Sequence, residues 1–295
     1  MKKYYITTPI YYVNDKPHIG HAYTTILADT LARFRNLIGD TSFFLTGLDE
    51  HGLKVQQAAE KNGVTPAVHC DIMAPAFIEL WEKLNINYSD FIRTTDKRHT
   101  KIVQNILNQV YENGDIYQDE YEGWYSISEE RFITEKEVES GLFGEVKKIK
   151  EKNYFFKMSK YQSELIKKIE SNELSIQPKS RKNEVLGFLK NDLSDLCISR
   201  PKARLEWGIE IPFDKNYVTY VWFDALINYI SAPKYSEDNK IFDLHWPADV
   251  HLIGKDILTT HSVYWPTMLM SLNLPLPKTI FAHGWWLTDD KKMSK

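Results

Sequence analysis

Two histidines stand three residues apart in His18-Ile19-Gly20-His21, after a strand-like run and a loop, at the start of a long helical pattern. A helix start presents unpaired N–H groups and partial positive charge, so it attracts phosphates. Residues at i and i+3 share a helix face, which lets both imidazoles donate to the same phosphate oxygens. Gly20 between them has no Cβ and lets a flat base approach the backbone. At the far end, Lys292-Met293-Ser294-Lys295 sets two ammonium groups around a small residue. On a loop, such a pair could hold a triphosphate and take up the charge that passes to a departing pyrophosphate. Without their context the same residues are two solvated loop histidines and a solvated lysine tail. Ile280-Phe281-Ala282-His283-Gly284 supplies context, because this strand-like run places the lysines at the carboxyl edge of a sheet, where open α/β sheets bind ligands.

The elements that must position these groups follow from periodicity. Residues 4–8 and 41–46 read as strands, and 88–93 as a short extended piece; 51–62, 66–84 and 97–113 read as helices. Between the first two strands, a helix from Gly20 to Leu37 has Ile26, Leu27, Leu31 and Phe34 spaced for one buried face, and Gly39 ends it. The texture changes at Gly114, where short aromatic and charged segments begin, with helices expected at 159–171 and 181–190. From Tyr217 the alternation resumes: strand 217–223, helix 224–231, strand 249–253, helix 256–272 and strand 279–283. The expected fold is therefore α/β, a Rossmann-like parallel sheet in two halves, 1–114 and 216–295, interrupted by an inserted α+β domain at 115–215. Trp222, Ala225, Leu226 and Tyr229 fall at i, i+3, i+4 and i+7, the spacing of any core-facing helix, and Ile257 with His261 could be a simple inward pair.

Composition excludes some classes and leaves others open. No apolar run approaches the roughly 18–20 residues that cross a bilayer, and no apolar leader follows Met1, so a cytoplasmic address is expected. The net charge of −3 offers no overall attraction to nucleic acid. Cys70 and Cys197, the only thiols, can build neither a disulfide framework nor a four-cysteine metal knuckle and read as buried small hydrophobes.

Taken in order, the two motifs resemble the HIGH and KMSKS signatures of class I aminoacyl-tRNA synthetases, the second cut before its final serine. Further segments narrow the resemblance to the methionyl-tRNA synthetases: Pro9-Ile10-Tyr11-Tyr12-Val13-Asn14, Gly47-Leu48-Asp49-Glu50-His51-Gly52, Tyr220-Val221-Trp222-Phe223-Asp224-Ala225 and Gly254-Lys255-Asp256-Ile257. Tyr154-Phe155-Phe156, Ser180-Arg181-Lys182-Asn183-Glu184 and Phe281-Ala282-His283-Gly284 are similar too, so the likeness spans essentially the whole chain. It implies activation of L-methionine with ATP and Mg²⁺, then transfer to tRNA(Met), with the inserted domain as the family's connective peptide. By the same resemblance, the methionine side chain lies among Ile10, Tyr12, Trp222, Ala225, Leu226, Tyr229, Ile257 and His261, and Asp49 takes its ammonium. A thioether against aromatic rings gains about 0.3–1.5 kcal/mol per contact, which suits such a pocket. Gly254 matches the close backbone approach to the nucleotide and Asp256 the acid on its ribose; His18 and His21 match the phosphate donors, and Lys292 and Lys295 the pyrophosphate donors. One methylene in a pocket is worth only about 1–3 kcal/mol, so rejection of homocysteine implies editing.

Two departures modify the expectation. Many methionine enzymes carry a zinc knuckle on Cys-x-x-Cys pairs, but here Ser126 and Glu129 stand where the first pair would be, and the second is missing around Gly141–Val146. No zinc is expected, and Tyr121, Trp124, Tyr125 and Phe132 are candidates to supply packing in its place. The chain also ends at Lys295, within the lysine loop and before the helical domain that reads the anticodon in the family, so feeble activity is expected of it alone.

Overall fold

A computed structural model describes residues 2–126, 131–133, 135–139, 141, 144–288 and 291–292. In chain order, β1 (Lys3–Thr7), β2 (Tyr11–Tyr12), α1 (Ile19–Leu37), β3 (Thr41–Asp49), α2 (Leu53–Lys61), α3 (Pro66–Lys83), β4 (Asp90–Arg93) and α4 (Lys97–Glu112) come first. Next are β5 (Ile116–Ser126), β6 (Arg131–Ile133), α5 (Glu135–Glu139), β7 (Val146–Phe156), α6 (Gln162–Glu170), β8 (Ser175–Gln177) and α7 (Lys179–Phe188). Four short strands follow: β9 (Leu196–Cys197), β10 (Ser199–Pro201), β11 (Glu210–Ile211) and β12 (Asp214–Thr219). The chain continues with α8 (Val221–Leu226), α9 (Asn228–Ser231), α10 (Asn239–His245), β13 (Val250–Gly254), α11 (Trp265–Ser271), β14 (Thr279–His283), β15 (Leu287–Thr288) and β16 (Lys291–Lys292).

Seven strands make one sheet, ordered β2-β3-β1-β13-β14-β8 with β4 on β3, and every pairing in it is parallel. This is the expected α/β, Rossmann-like arrangement. The strand order reverses at β1, which has β3 on one side and β13 on the other; a crevice opens at the carboxyl ends of such strands. Gly47 permits the close spacing of β3 and β4, since a Cβ there would sit 2.0 Å from the Ile92 carbonyl oxygen. An antiparallel sheet, β6-β5-β7-β9, and a smaller one, β10-β12-β11, occupy the inserted stretch. Yet that stretch also feeds the parallel sheet, because β8 pairs with β14, Ser175 beside Thr279. Within the insert, the Arg204 guanidinium lies 3.9 Å over the Tyr125 ring, a cation–π stack beside the buried aromatic core. Glu129 lies outside the described residues. Cys70 is buried, but Cys197 is only partly so.

Three expectations need correction. The face of α1 turned to the sheet is not Ile26, Leu31 and Phe34, which are 41%, 37% and 52% exposed, nor is Leu27 fully buried; it is Thr24, Thr25, Ala28, Asp29 and Ala32. The sheet already carries the bulk in Ile6, Phe44 and Leu252, so small helix residues let the two layers close. The run 217–223 does not stay extended: β12 stops at Thr219 and α8 begins at Val221, with Phe223 and Asp224 N–H groups bonded to the Tyr220 carbonyl. Burial of Phe223, Ala225 and Leu226 outweighs the strand preference of Val-Trp-Phe. The helix expected at 256–272 is three pieces: a 3₁₀ turn at Lys255–Ile257, a π turn at Thr260–Tyr264 and α11. Pro266 has no N–H to give the carbonyl four residues back and crowds it, so the wider turn relieves that conflict.

Candidate active site

His18 is the N-cap of α1, extended in backbone, and its ring turns back on its own helix start. Its Nδ1 accepts the Gly20 N–H at 3.1 Å, and His21 Nδ1 accepts the His18 N–H at 3.3 Å, a reciprocal capping box. A ring nitrogen that accepts carries no proton, so in each neutral ring the proton sits on Nε2, which is the donor a phosphate needs. The rings stack at 3.8 Å between centroids, and Tyr11 packs against His21 at 4.6 Å. Tyr11 is itself fixed by its hydroxyl on Thr25 Oγ1 at 2.7 Å, and burial pushes that phenol up to about 12. Gly20 leaves room for the His18 ring in this position, since a Cβ there would lie 2.9 Å from His18 Cε1 and push the ring aside.

Across the crevice, β13 ends at Gly254 and β14 at His283, in register as neighbours. The His283 ring bonds Thr24 Oγ1 on α1 at 2.7 Å and meets the Tyr23 ring edge-on at 4.8 Å, so the helix with the two histidines is tied directly to the end of β14. A Cβ on Gly254 would stand 2.6 Å from Asp256 Oδ1, leaving the backbone bare beside that carboxylate. Trp285 donates its indole N–H to Asp256 at 3.3 Å, and the Lys255 ammonium lies 3.8 Å over the indole ring. Lys292 pairs with Leu287 in the hairpin of β15 and β16, which starts four residues beyond β14; Lys295 lies outside the described residues. The structure thus brings His18, Gly20, His21, Gly254 and Asp256 to one edge of the sheet and places the Lys292 backbone in the hairpin that follows that edge.

On the other side of β1, Asp49 ends β3, 4% exposed, with Tyr12 of β2 opposite it in register. Trp222, Ala225 and Leu226 lie on α8, Tyr229 on α9, Ile257 in the 3₁₀ turn and His261 in the π turn; Leu226 and Tyr229 belong to one hydrophobic cluster on which Ile10, Tyr12, Trp222 and Ile257 pack. His261 donates Nδ1–H to the Ile257 carbonyl at 2.9 Å, since a carbonyl can only accept, and its Nε2 takes the Tyr229 hydroxyl proton at 2.8 Å. Burial draws the His261 pKa down to about 4, so the ring is neutral, and it meets the Trp222 ring edge-on with 6.4 Å between centroids. Behind it, His251 accepts the Trp265 indole N–H at 3.1 Å and bonds Thr7 at 2.8 Å, and burial holds it well below the ordinary imidazole range. Tyr229 packs on both rings at a tilt, 4.2 Å from His251 and 5.8 Å from Trp265 between centroids. His251, Thr7 and Trp265 were not among the sequence candidates; residues 249–253 read only as a strand, which marks none of its side chains as part of a site.

The matching family model is described as tRNA synthetases class I (M) and covers residues 4–142 and 139–295. A methionine–tRNA ligase of Clostridium acetobutylicum is 53% identical over 300 residues, all of this chain and 46% of that protein. That of Bacillus subtilis is 48% identical over 309 residues, covering 99% of this chain and 46% of its own length. The chain therefore spans about half the length of the curated relatives it matches. Among solved structures, Mycobacterium tuberculosis methionyl-tRNA synthetase bound by methionyl-adenylate superposes with a TM-score of 0.93 at 43% identity, over 100% of this chain and 59% of that one. The free state of the same enzyme gives 0.81 at 40% identity, over 97% and 56%. With the two signatures, the parallel sheet and a family model that matches almost end to end, the chain belongs to the class I tRNA synthetases of the methionine type.

Proposed function

We propose that this chain carries the amino-acid activation site of a methionine–tRNA ligase. L-methionine and ATP give methionyl-adenylate and pyrophosphate, and the methionyl group then passes to the 3′-terminal adenosine of tRNA(Met). One observation supports the reading: the capped start of α1 with its paired histidines, the bare Gly254 backbone and the buried acid Asp49 all lie at the carboxyl ends of strands of one parallel sheet. In that crevice, the Asp49 carboxylate takes the methionine ammonium as a charge-assisted pair, and Tyr12, Trp222, Tyr229, Ile257 and His261 surround the thioether. Ile10, Ala225 and Leu226 complete the apolar wall.

Adenosine lies against the bare backbone at Gly20 and Gly254, with its ribose on Asp256. The methionine carboxylate oxygen attacks the α-phosphorus, forming an O–P bond as the bond to pyrophosphate breaks; no protein nucleophile is needed. The Nε2–H groups of His18 and His21 stabilise the phosphates, and Lys292 and Lys295 take the charge that leaves with pyrophosphate. Mg²⁺ accompanies ATP through phosphate oxygens and water, as a hard cation that keeps most of its hydration shell does. No described helix is long and apolar enough to cross a membrane, and a cytoplasmic location belongs to the same proposal. The test is ATP–pyrophosphate exchange with each amino acid in turn. Exchange should depend on methionine; dependence on another amino acid would mean a different adenylate-forming enzyme, and no nucleotide protection in a thermal shift would mean a binding module.

A further inference from the structure

Outside the groups assigned above, one buried polar chain runs between the two halves of the proposed methionine site. His51 Nδ1 lies 2.7 Å from Asp224 Oδ2, His99 Nε2 lies 2.7 Å from Asp224 Oδ1, and His99 Nδ1 lies 2.7 Å from Ser231 Oγ. All four residues are buried: Asp224 at 1%, His99 and Ser231 at 0%, His51 at 6%. They come from four places, the segment after β3, α4, α8 and the end of α9. Burial alone would raise the Asp224 carboxyl, but the His51 and His99 imidazoles outweigh it and hold it below the usual range. It is a carboxylate, accepting one N–H on each oxygen, and Ser231 Oγ, which also reaches the Asn228 carbonyl at 3.4 Å, holds the far side of His99 at Nδ1.

We propose that Asp224 is a positioning residue that, through His51 and His99, fixes the distance between the acid at Asp49 and the pocket wall on α8 and α9. The sequence neighbours of the network give the reason. His51 is two residues past Asp49, Asp224 lies between Trp222 and Ala225, and Ser231 is two past Tyr229. Glu50, between Asp49 and His51, is anchored elsewhere, by Arg93 Nε at 2.7 Å and by its own N–H on Thr94 Oγ1 at 2.9 Å. The His51–Asp224 bond is thus a direct side-chain link from the acid's segment to α8, the helix that carries Trp222, Ala225 and Leu226. An apolar trio could fill the same volume, and removing one member of a buried charged set is costly because its partners lose their bonds. A substrate gripped at both ends, ammonium and thioether, needs those ends at one separation, and a two-sided carboxylate supplies that constraint.

The inference rests on the methionine reading, so the test separates the two. Calorimetric titration of the full chain with L-methionine and with ATP, beside a thermal melt and a proton spectrum of the hydrogen-bonded imidazole N–H region, compares wild type, Asp224→Asn and Ser231→Ala. Asp224→Asn should weaken methionine about tenfold or more and leave ATP within about twofold, with the downfield N–H signals lost; Ser231→Ala should weaken methionine by a smaller factor of about two to five. Loss of melting temperature with both affinities kept means a merely structural network and overturns the proposal, as does unchanged methionine binding once the N–H signals are gone. If Asp224→Asn does not fold, Ser231→Ala decides: unchanged methionine affinity in that variant overturns the proposal. A wild-type chain that takes up no methionine overturns the underlying reading instead.

Discussion

Replacing Tyr229 by Phe removes one oxygen and keeps the ring where it packs on His251 and Trp265. That hydroxyl donates to His261 Nε2 at 2.8 Å, while the other ring nitrogen donates to the Ile257 carbonyl. Both side chains are 1% exposed, so no solvent replaces the lost donor. A buried acceptor left unsatisfied costs about 1–3 kcal/mol. Thermal melts should therefore fall by about 2–4 °C for each kcal/mol, the scale of larger domains. Methionine affinity should fall as well, because the ring edge that faces Trp222 is no longer held. Equal melting temperatures for Tyr229→Phe and wild type, measured by calorimetry at neutral pH, would refute the assignment of His261 as a neutral ring held through this bond.

Acid stability should follow the same histidine. Its folded pKa, about 4, lies below the ordinary 6.5, so its contribution is fully present above 6.5 and is lost as pH falls through 4. The loss from this group is about 3 kcal/mol, and denaturant titrations across that window should show it; stability flat from pH 7 to 4 would contradict the burial argument. His21→Asn should slow methionine-dependent pyrophosphate exchange by about 10²–10³-fold while methionine binding holds, the usual cost of losing one transition-state donor. Metal analysis of the purified chain should find no stoichiometric zinc; one zinc per chain would show that the insert has other ligands.

Much of this was legible because the chemistry sits in short contiguous runs. His18-Ile19-Gly20-His21, Gly47–Gly52 and Tyr220–Ala225 each lie where a sheet edge meets a helix start, and the parallel alternation could be read from strand and helix periods. What failed is instructive. Periodicity gave the right length for α1 and the wrong phase, because pattern reading rewards large apolar residues while the sheet needed small ones at Ala28 and Ala32. Val221-Trp222-Phe223 has strand propensity in isolation, and only tertiary burial makes it helical. No local rule reveals that β8, inside the inserted stretch, joins the main sheet beside β14, or that His99 on α4 meets Asp224 on α8. Those are pairings across long separations, fixed by packing rather than by sequence neighbours.

The central claim is that both substrates share the crevice flanking β1. A crystal structure of the chain with a non-hydrolysable methionyl-adenylate analogue tests it most directly. The account predicts the ammonium on Asp49, the thioether between Trp222 and His261, and the ribose on Asp256 beside Gly254. An analogue bound on any other surface, with the His18–His21 pair and Asp49 both untouched, would contradict it.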